Sequence, residues 1–296
     1  MTQNLHYQTT PNNFLSLSKE FSSFNNSKIV ILPIPYEATT SYKTGTREAP
    51  QAIINASRQL EFYDEELGKE VYKIGIHTLE PMACEYYDPE GMSLEIERLT
   101  GQLIKENKFV VALGGEHSVT IGLVKGMQHS FKNLSVLQLD AHADLREEYF
   151  KTPYSHACVM KRIVDLSIPT VQVGIRSLCK DQAELINERR LPVYFAKDII
   201  DTPSDLWINK VISHLTDTVY ITIDLDVFDP AYVPGVGTPE PGGLDWYLVL
   251  KILKKVAETR SIIGFDVVEL CPLENNISSD FLAARLIYKL IGYVHY

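Results

Sequence analysis

The chain has 296 residues, of which 45% are hydrophobic and 22% charged, a composition typical of a globular protein that can bury a large core. Its 28 Lys and Arg against 38 Asp and Glu give a net charge of −10, which argues against nucleic acid or an anionic membrane as the main partner. The amino terminus lacks a basic start followed by an apolar run, and no stretch approaches the roughly 18 apolar residues of a membrane span. The four scattered cysteines form neither a disulfide framework nor a zinc-binding spacing, so we expect a cytoplasmic protein.

The predicted elements begin after an irregular segment. Residues 1–27 are rich in Asn, Ser and Thr, and we expect an arm that docks on the body or on a neighbouring subunit. Over 28–296 we predict a single domain. Runs rich in Val, Ile and Leu predict eight buried strands, at 28–34, 71–77, 109–113, 134–139, 170–174, 192–195, 219–223 and 261–267. Helical periodicity predicts helices at 92–106, 118–131, 156–165, 180–190, 204–214, 245–258 and 280–294.

This alternation of strands and helices predicts the class of fold. Strands separated by helices form right-handed βαβ units, which place the strands parallel in one sheet. We therefore predict an α/β fold, a three-layer α/β/α sandwich around a mainly parallel eight-stranded sheet.

Polar segments follow three of the predicted strands directly. The strand at 109–113 runs into Gly-Gly-Glu-His-Ser, that at 134–139 into Asp-Ala-His-Ala-Asp, and that at 219–223 into Asp-Leu-Asp. Ligands bind beyond the carboxyl ends of the strands in open parallel sheets, so these segments are placed to form a site. They supply two imidazoles and four carboxylates: His117, Asp140, His142, Asp144, Asp224 and Asp226.

Each of these residues taken singly has a simpler structural explanation. A lone Asp after a strand is most often the N-cap of the next helix, and a lone His is more often a satisfied core residue. Four carboxylates beside apolar strands would repel one another and lose hydration, so a cation must neutralise them. The six side chains suit two metal ions per chain, and their mainly oxygen ligands favour Mn²⁺, with Fe, Co or Ni as alternatives.

The sequence resembles the ureohydrolase family, which includes arginases and agmatinases, from about residue 28 to the carboxyl terminus. The matching motifs are GGEHS (114–118), DAHADLR (140–146), SHA (155–157), IDLDVFDPAYVPGVGTPEPGG (223–243) and DVVEL (266–270). This resemblance implies an arginase-like catalytic domain over 28–296 and a homotrimer or homohexamer. Two positions depart from the family pattern: Glu116 stands where many relatives have Asp, and Ala157 where arginases have Gly.

The resemblance also implies a role for each site residue. His117 and Asp144 would bind one Mn²⁺, His142 and Asp226 the other, and Asp140 and Asp224 would bridge the two. His156 matches the active-site histidine of the family, and Glu269 matches its guanidinium-binding acid.

Charge accounting on these roles leads to a mechanism. Four aspartates, two divalent ions and a metal-bridging hydroxide leave a cluster charge of about −1, which suits a guanidinium substrate. We hypothesise that the hydroxide attacks the guanidinium carbon while Glu269 holds the guanidinium through paired hydrogen bonds. His156 would then give a proton to the leaving nitrogen, and the products would be urea and an amine.

The segment 145–155 favours agmatine as the substrate. It lacks the Asn- and Ser-bearing pattern with which arginases bind the α-carboxylate, and it carries Glu147 and Glu148, which would tolerate a second cation. The segments DLREEY (144–149) and TTSYKTGTREAPQAI (39–53) also resemble bacterial agmatinases. We therefore predict hydrolysis of agmatine to putrescine and urea, a step of polyamine biosynthesis.

Several alternatives stay open at this point. The nearest are a guanidinobutyrase or another guanidino-acid or guanidine hydrolase, and then an arginase. From other classes, an acetylpolyamine amidohydrolase with one zinc ion and a metal-bound pseudoenzyme remain.

Four further residues near the predicted site have simpler interpretations. Asp229 and Glu240 lie in a loop dense in Pro and Gly, and we expect both to structure that loop. Cys158 and Cys271 are expected to pack in the core.

Overall fold

The computed structural model describes residues 10–84 and 87–296, and its centre is a sheet of eight parallel strands. The strands of the chain are β1 (Ile29–Ile34), β2 (Tyr63–Asp64), β3 (Lys69–Glu70), β4 (Ile76–Thr78), β5 (Phe109–Gly114), β6 (Leu134–Leu139), β7 (Thr170–Ile175), β8 (Val193–Phe195), β9 (Thr218–Asp224) and β10 (Ser261–Val268). The order across the sheet is β4-β1-β5-β10-β9-β6-β7-β8, and β2 and β3 form a separate antiparallel hairpin. The predicted eight-stranded parallel sheet is therefore confirmed.

Helices cover both faces of this sheet. They are α1 (Lys19–Ser22), α2 (Ala49–Ser57), α3 (Pro89–Lys105), α4 (Val119–Gln128), α5 (Val159–Asp165), α6 (Lys180–Arg189), α7 (Ala196–Ile199), α8 (Ser204–His214), α9 (Trp246–Thr259) and α10 (Ser278–His295). Side chains alternate across each strand, so Ile29 and Ile31 join the core under α2, α8, α9 and α10, while Val30 and Leu32 join the core under α3, α4, α5 and α6. Two apolar cores thus separate the three predicted layers.

The register of the four central strands aligns their carboxyl ends. Val267 of β10 lies opposite Leu113 of β5 on one side and Ile223 of β9 on the other, and Ile223 lies opposite Leu139 of β6. Chain segments that follow these four residues therefore leave the sheet at the same height and on the same edge.

The predicted strand at 71–77 is wrong in its first half. Val71–Ile74 form a 3₁₀ turn, and only Ile76–Thr78 pair with β1. Gly75 separates the two with φ of +83°, and a Cβ atom there would lie 2.6 Å from the backbone oxygen of Asn26. The backbone of Asn26 passes so close to Gly75 that only glycine fits there. The apolar run 71–77 is therefore interrupted at Gly75 and does not form one continuous strand.

The other boundaries differ from the prediction by small amounts. The predicted helix at 156–165 begins with a 3₁₀ turn, His156–Cys158, before α5. The sequence patterns missed α1, α2, α7 and the β2–β3 hairpin.

Residues 10–27 of the expected amino-terminal arm lie against the body of the protein. Phe14 and Leu15 are buried in the core beside α2, and their backbone N–H groups donate hydrogen bonds to the hydroxyls of Thr78 and Ser57. Residues 1–9 of the arm lie outside the described residues. Among the helices that the structure describes, none is both long and apolar enough to cross a membrane.

Candidate functional site

The polar segments that follow β5, β6 and β9 meet at the aligned edge of the sheet. His117 lies at the centre of one group, because its Nδ1 is 3.1 Å from Asp140 Oδ2, 3.1 Å from Asp144 Oδ2 and 3.4 Å from Asp224 Oδ2. All four residues are buried. No carboxylate oxygen meets Nδ1 with hydrogen-bond geometry, so within the described residues this buried nitrogen has no hydrogen-bond partner.

The second histidine lies on the outer side of the same cluster. His142 Nδ1 is 2.8 Å from Asp226 Oδ2 and 3.7 Å from Asp140 Oδ1, and a quarter of its side chain is exposed. Two triplets of potential ligand atoms each lie within 4.8 Å of one another, and Asp140 belongs to both: His117, Asp140 and Asp224, and Asp140, His142 and Asp226. Carboxylate and imidazole donors grouped around a partnerless Nδ1 fit metal ions, with Asp140 placed between two positions.

The backbone around these residues explains how the sequence brings them together. The carboxylate of Asp224 caps the turn Leu225–Val227 by accepting a hydrogen bond from the backbone N–H of Asp226, so the simpler N-cap explanation also holds. Asp226 in turn accepts a hydrogen bond from the backbone N–H of Ala141, which joins the segments after β9 and β6. Asp144 and Glu269 have left-handed backbones, with φ of 50° and 62°, a conformation that surrounding contacts must impose on such residues.

Burial and charge repulsion raise the pKa values of three acids in this cluster. Burial, together with repulsion from Asp226 and Asp140, raises the pKa of Asp224 well above its usual range. Burial and the charge of Asp140 likewise raise the pKa values of Asp144 and Asp226. These three carboxyl groups oppose folding when all of them are ionised and no cation lies between them.

The pKa values of the two histidines are raised as well, which for an imidazole favours the charged form. Burial lowers the pKa of His142, but Asp226 and Asp140 outweigh it and raise this pKa to about 12. The pKa of His117 is also raised well above its usual range by Asp140, Asp144 and Asp224 in spite of burial. Burial would raise the pKa of Asp140, but both histidines hold it below the ordinary range. Shared protons therefore neutralise the metal-free cluster in part, and divalent cations would take their place.

His156 and Glu269 face the same cavity as the cluster. This cavity has a volume of about 230 Å³, and its lining includes His142, Asp144, Asp224, His156 and Glu269. His156 Nδ1 lies 4.0 Å from Glu269 Oε1, and that oxygen accepts a hydrogen bond from the backbone N–H of His117. The structure thus brings together the eight residues predicted to bind metal or act on the substrate.

Sequence reasoning did not detect how His156 is held. Its backbone N–H donates to the hydroxyl of Thr39, which itself donates to the carboxylate of Glu116. Glu116 is fully buried and also accepts hydrogen bonds from the backbone N–H groups of Ala38 and Thr39. Glu116, which stands where many relatives have Asp, therefore fixes the position of Ala38 and Thr39, and Thr39 in turn holds His156.

Arg176 was also missed, although it fastens the long loop after β9. Its guanidinium donates to the backbone oxygens of Asp226, at 2.6 Å, and Glu240, at 2.8 Å. Its backbone N–H donates to the oxygen of Ala141, so one residue braces segments after β6 and β9. No local pattern marks an arginine for such a role, because its partners are backbone atoms of distant segments.

The loop residues and cysteines follow their predictions with one exception. Asp229 accepts backbone hydrogen bonds from Ala231, Gly242 and Gly243 and structures the loop as predicted. The side chain of Glu240 instead reaches to 4.0 Å from His142 Nε2, so it borders the site. Cys158 and Cys271 are buried, as predicted.

The fold and the strand-end cluster define a class: an arginase-like α/β protein whose buried Asp and His side chains can bind metal ions. The Arginase family model matches residues 27–292. The chain belongs to this family of ureohydrolases, enzymes that hydrolyse guanidino C–N bonds.

Similar proteins support this assignment over nearly the whole chain. An N(1)-aminopropylagmatine ureohydrolase of Synechocystis sp. is 42% identical, and the match covers 96% of each chain. An agmatinase of Bacillus cereus is 32% identical and is matched over 93% of this chain and 95% of its own. The crystal structure of the agmatine ureohydrolase of Thermoplasma volcanium superposes with a TM-score of 0.85 at 30% identity, covering 97% of this chain and 95% of that one.

Proposed function

We propose that this protein hydrolyses the guanidino group of a polycation that has no carboxylate. The first candidate substrate is agmatine, which would give urea and putrescine. The observation that carries this proposal is the shared cavity, where the buried carboxylate of Glu269 and the imidazole of His156 face the same space as the Asp and His cluster. An anion opposite a metal-binding cluster suits a planar guanidinium cation.

The cluster would hold two divalent metal ions, with Mn²⁺ favoured by its oxygen-rich ligands. His117 and Asp144 would bind one ion, His142 and Asp226 the other, with Asp140 and Asp224 shared. When bound, such ions activate water as a nucleophile at neutral pH.

Glu269 is the residue that would bind the guanidinium group. Burial raises the pKa of Glu269 to about 8, although the hydrogen bond from the backbone of His117 opposes this shift. A bound guanidinium would favour the ionised carboxylate, so substrate binding and ionisation of Glu269 support each other.

His156 is the residue that would supply a proton to the leaving nitrogen. Its Nε2 is buried and has no hydrogen-bond partner among the described residues. Burial lowers the pKa of His156, although the charge of Glu116 opposes this shift, and a weakly held proton is readily transferred. The C–N bond breaks as the leaving nitrogen takes this proton.

The 42% identical relative favours N(1)-aminopropylagmatine as a second candidate substrate. In support, a groove lined by Glu148, Asp181 and Glu188 adjoins the cavity, with Arg146, Cys179 and Gln182 lining both spaces. The argument from Glu147 is weaker than the sequence suggested. This side chain pairs with Lys161 at 2.6 Å and with Arg162 at 2.8 Å, so its charge is compensated.

A urea-release assay tests the proposal directly. Chain loaded with Mn²⁺ or Ni²⁺ is given agmatine, N(1)-aminopropylagmatine, arginine, guanidinobutyrate or guanidine at equal concentrations. We expect the highest kcat/KM with one of the first two substrates. A preference for arginine or guanidinobutyrate would contradict it and would direct attention to Arg146, the cation that lines the cavity.

Replacement of His156 by Ala tests the proton-transfer role. General acid catalysis typically contributes about 10²–10⁴-fold, so we expect kcat for urea release to fall by that factor. Metal content, measured in the same preparation, is expected to stay at the parent value because His156 is not among the proposed ligands. A His156→Ala protein with full metal content and full turnover would remove this residue from the mechanism.

The homotrimer or homohexamer implied by the resemblance is part of this proposal, and so is the cytoplasmic location expected from the scattered cysteines and the amino-terminal sequence. Light scattering on the purified chain measures the first, and cell fractionation measures the second.

A further inference from the structure

One carboxylate near the site plays no part in the proposed function. Asp266 lies in the second half of β10, is fully buried, and is surrounded by hydroxyl groups. Its Oδ2 accepts hydrogen bonds from Tyr220 OH at 2.7 Å and Thr120 Oγ1 at 3.0 Å, and its Oδ1 accepts one from Thr222 Oγ1 at 2.6 Å. A buried acid in an apolar strand is costly, so the contacts it makes need an explanation.

The register of the sheet connects this acid to the site. Asp266 of β10 lies directly opposite Thr222 of β9, two residues before Asp224. Thr222 Oγ1 also lies 2.8 Å from Nε2 of His117. A chain of two hydrogen bonds therefore runs from the carboxylate through one hydroxyl to the imidazole.

Counting protons determines the direction of this chain. A hydroxyl group has one proton, and Thr222 donates it to Asp266. The oxygen of Thr222 must then accept from His117, which requires a proton on Nε2. In the neutral imidazole this leaves Nδ1 with its lone pair, and Nδ1 is the atom that points at Asp140, Asp144 and Asp224.

We propose that Asp266 and Thr222 are positioning residues that hold His117 in its Nε2–H tautomer with Nδ1 directed at a metal ion. Metal-binding histidines commonly donate their second ring N–H to a carboxylate or carbonyl, which orients the ring and strengthens it as a ligand. Here a threonine hydroxyl lies between the imidazole and the carboxylate. Tyr220 and Thr120 hold the far oxygen of Asp266, so the acid itself is kept in place.

The inference rests on the proposed role of His117 as a metal ligand, and its consequences are asymmetric. Only one of the two proposed metal positions includes His117. Loss of the hydrogen bonds from Asp266 through Thr222 to His117 should therefore weaken the binding of one ion and leave the binding of the other unchanged. Second-sphere partners of this kind typically change metal affinity by about 10- to 100-fold.

The test replaces Thr222 by Val, which keeps the shape of the side chain and removes its hydrogen bonds to His117 and Asp266 and its longer contact, 3.3 Å, with Thr120. Binding of Mn²⁺ is measured by calorimetry, and electron paramagnetic resonance distinguishes a coupled pair of ions from a single one. We expect the parent to bind two ions, and Thr222→Val to bind one of them about 10- to 100-fold more weakly. Thr222→Ser, which keeps the hydroxyl, is expected to restore parent-like affinity.

A second threonine provides a matched control. Thr100 of α3 is also fully buried, and its hydroxyl has no hydrogen-bond partner among the described residues, so Thr100→Val makes the same chemical change away from the site. We expect parent-like binding of both ions in this variant. Thermal melting of each variant in the presence of a chelator shows whether the chain still folds, and Asp266→Asn provides a second variant with the same expected asymmetry should Thr222→Val fail to fold.

The outcomes separate this inference from the proposed function. A parent that binds no metal ion would overturn the proposed function. A parent that binds two ions, with Thr222→Val binding both equally well, would overturn the inference alone. Equal weakening in Thr222→Val and Thr222→Ser, or in Thr100→Val, would also overturn it, since packing would then explain the loss.

Discussion

Two clusters around buried acids in the described part of this chain differ in whether a lysine lies among them. At the edge of the sheet, the ion pairs of four buried aspartates within residues 10–84 and 87–296 are with two histidines. At the β2–β3 hairpin, Lys289 of α10 is 3% exposed and lies 3.1 Å from Asp64, 3.0 Å from Glu65 and 3.3 Å from Glu66. The second cluster contains a lysine, whereas no lysine or arginine pairs with the first among the residues that the structure describes.

This difference indicates which cluster binds an external partner. A buried acid with a lysine beside it is satisfied within the chain and joins distant segments, here the hairpin and the last helix. Buried acids without such a cation keep raised pKa values and need a cation from outside. The comparison predicts that substitutions in the two clusters change stability in opposite directions.

Asp224→Asn is expected to have the largest effect on function. The amide keeps an oxygen that can cap the turn at Asp226 but removes a charge that the proposed metal ions would require. We expect metal binding and urea release to fall to background. In a chelator the same variant should melt at a higher temperature than the parent, because the ionised carboxyl opposes folding there.

Melting curves with and without Mn²⁺, together with metal analysis, measure both effects. Asp205→Asn is a suitable control, since this exposed acid pairs with Lys251 and is not one of the proposed ligands. A variant of Asp224 that keeps both ions and full turnover would contradict the comparison.

Lys289→Met is expected to lower stability and leave the active site intact. Removal of one partner from a buried ion pair typically costs about 3–5 kcal/mol, and here Asp64 would stay buried without its lysine, while Glu65 and Glu66 reach water. Chemical denaturation of the metal-free protein measures the loss in free energy of unfolding. Lys251→Met, which breaks an exposed pair with Asp205, should cost about 1 kcal/mol or less.

Metal content and kcat of the Lys289→Met variant test whether the active site stays intact. We expect both to match the parent under conditions where the variant is folded. A loss of metal ions at full folding would show that the hairpin cluster is coupled to the site.

The smallest expected effect is the contribution of Glu66 to the stability of the fold at low pH. Burial would raise the pKa of Glu66, but hydrogen bonds from Lys254, Tyr293 and Lys289 lower it to about 2. Because the folded pKa lies below the unfolded value of 4.5, this group stabilises the fold fully above pH 4.5. Its contribution should disappear as the pH falls from about 4.5 towards 2.

Unfolding measured from pH 6 to pH 2 in parent and Glu66→Gln tests this sign. The parent should lose more stability than the variant across this interval. Equal slopes of stability against pH would contradict the lowered pKa.

The candidate site was largely readable from short sequence segments. Each ligand segment directly follows an apolar run, so its position at a strand end needs no knowledge of distant contacts. Glu269 and His156 were found by resemblance, since neither has a local spacing that marks its chemistry.

The supporting residues could not be found in this way, because their partners come from distant parts of the chain. Asp266 stands out as an acid in an apolar run, but its importance depends on lying opposite Thr222 in the neighbouring strand. Lys289 and Asp64 are 225 positions apart, and nothing local to either predicts the pair. The half-strand error at 71–77 has the same origin, since close contact with Asn26 makes the chain turn at Gly75.

The sequence by itself determined the class of fold, the edge of the sheet that carries the site, and the family to which the chain belongs. These follow from periodicity, from polar residues directly after apolar runs, and from long motifs, all of which are local. Tertiary structure decided the order of the strands and hence the register that aligns Leu113, Leu139, Ile223 and Val267. It also decided which buried acids have a cation of their own, because charge balance inside a protein depends on which distant segments pack together.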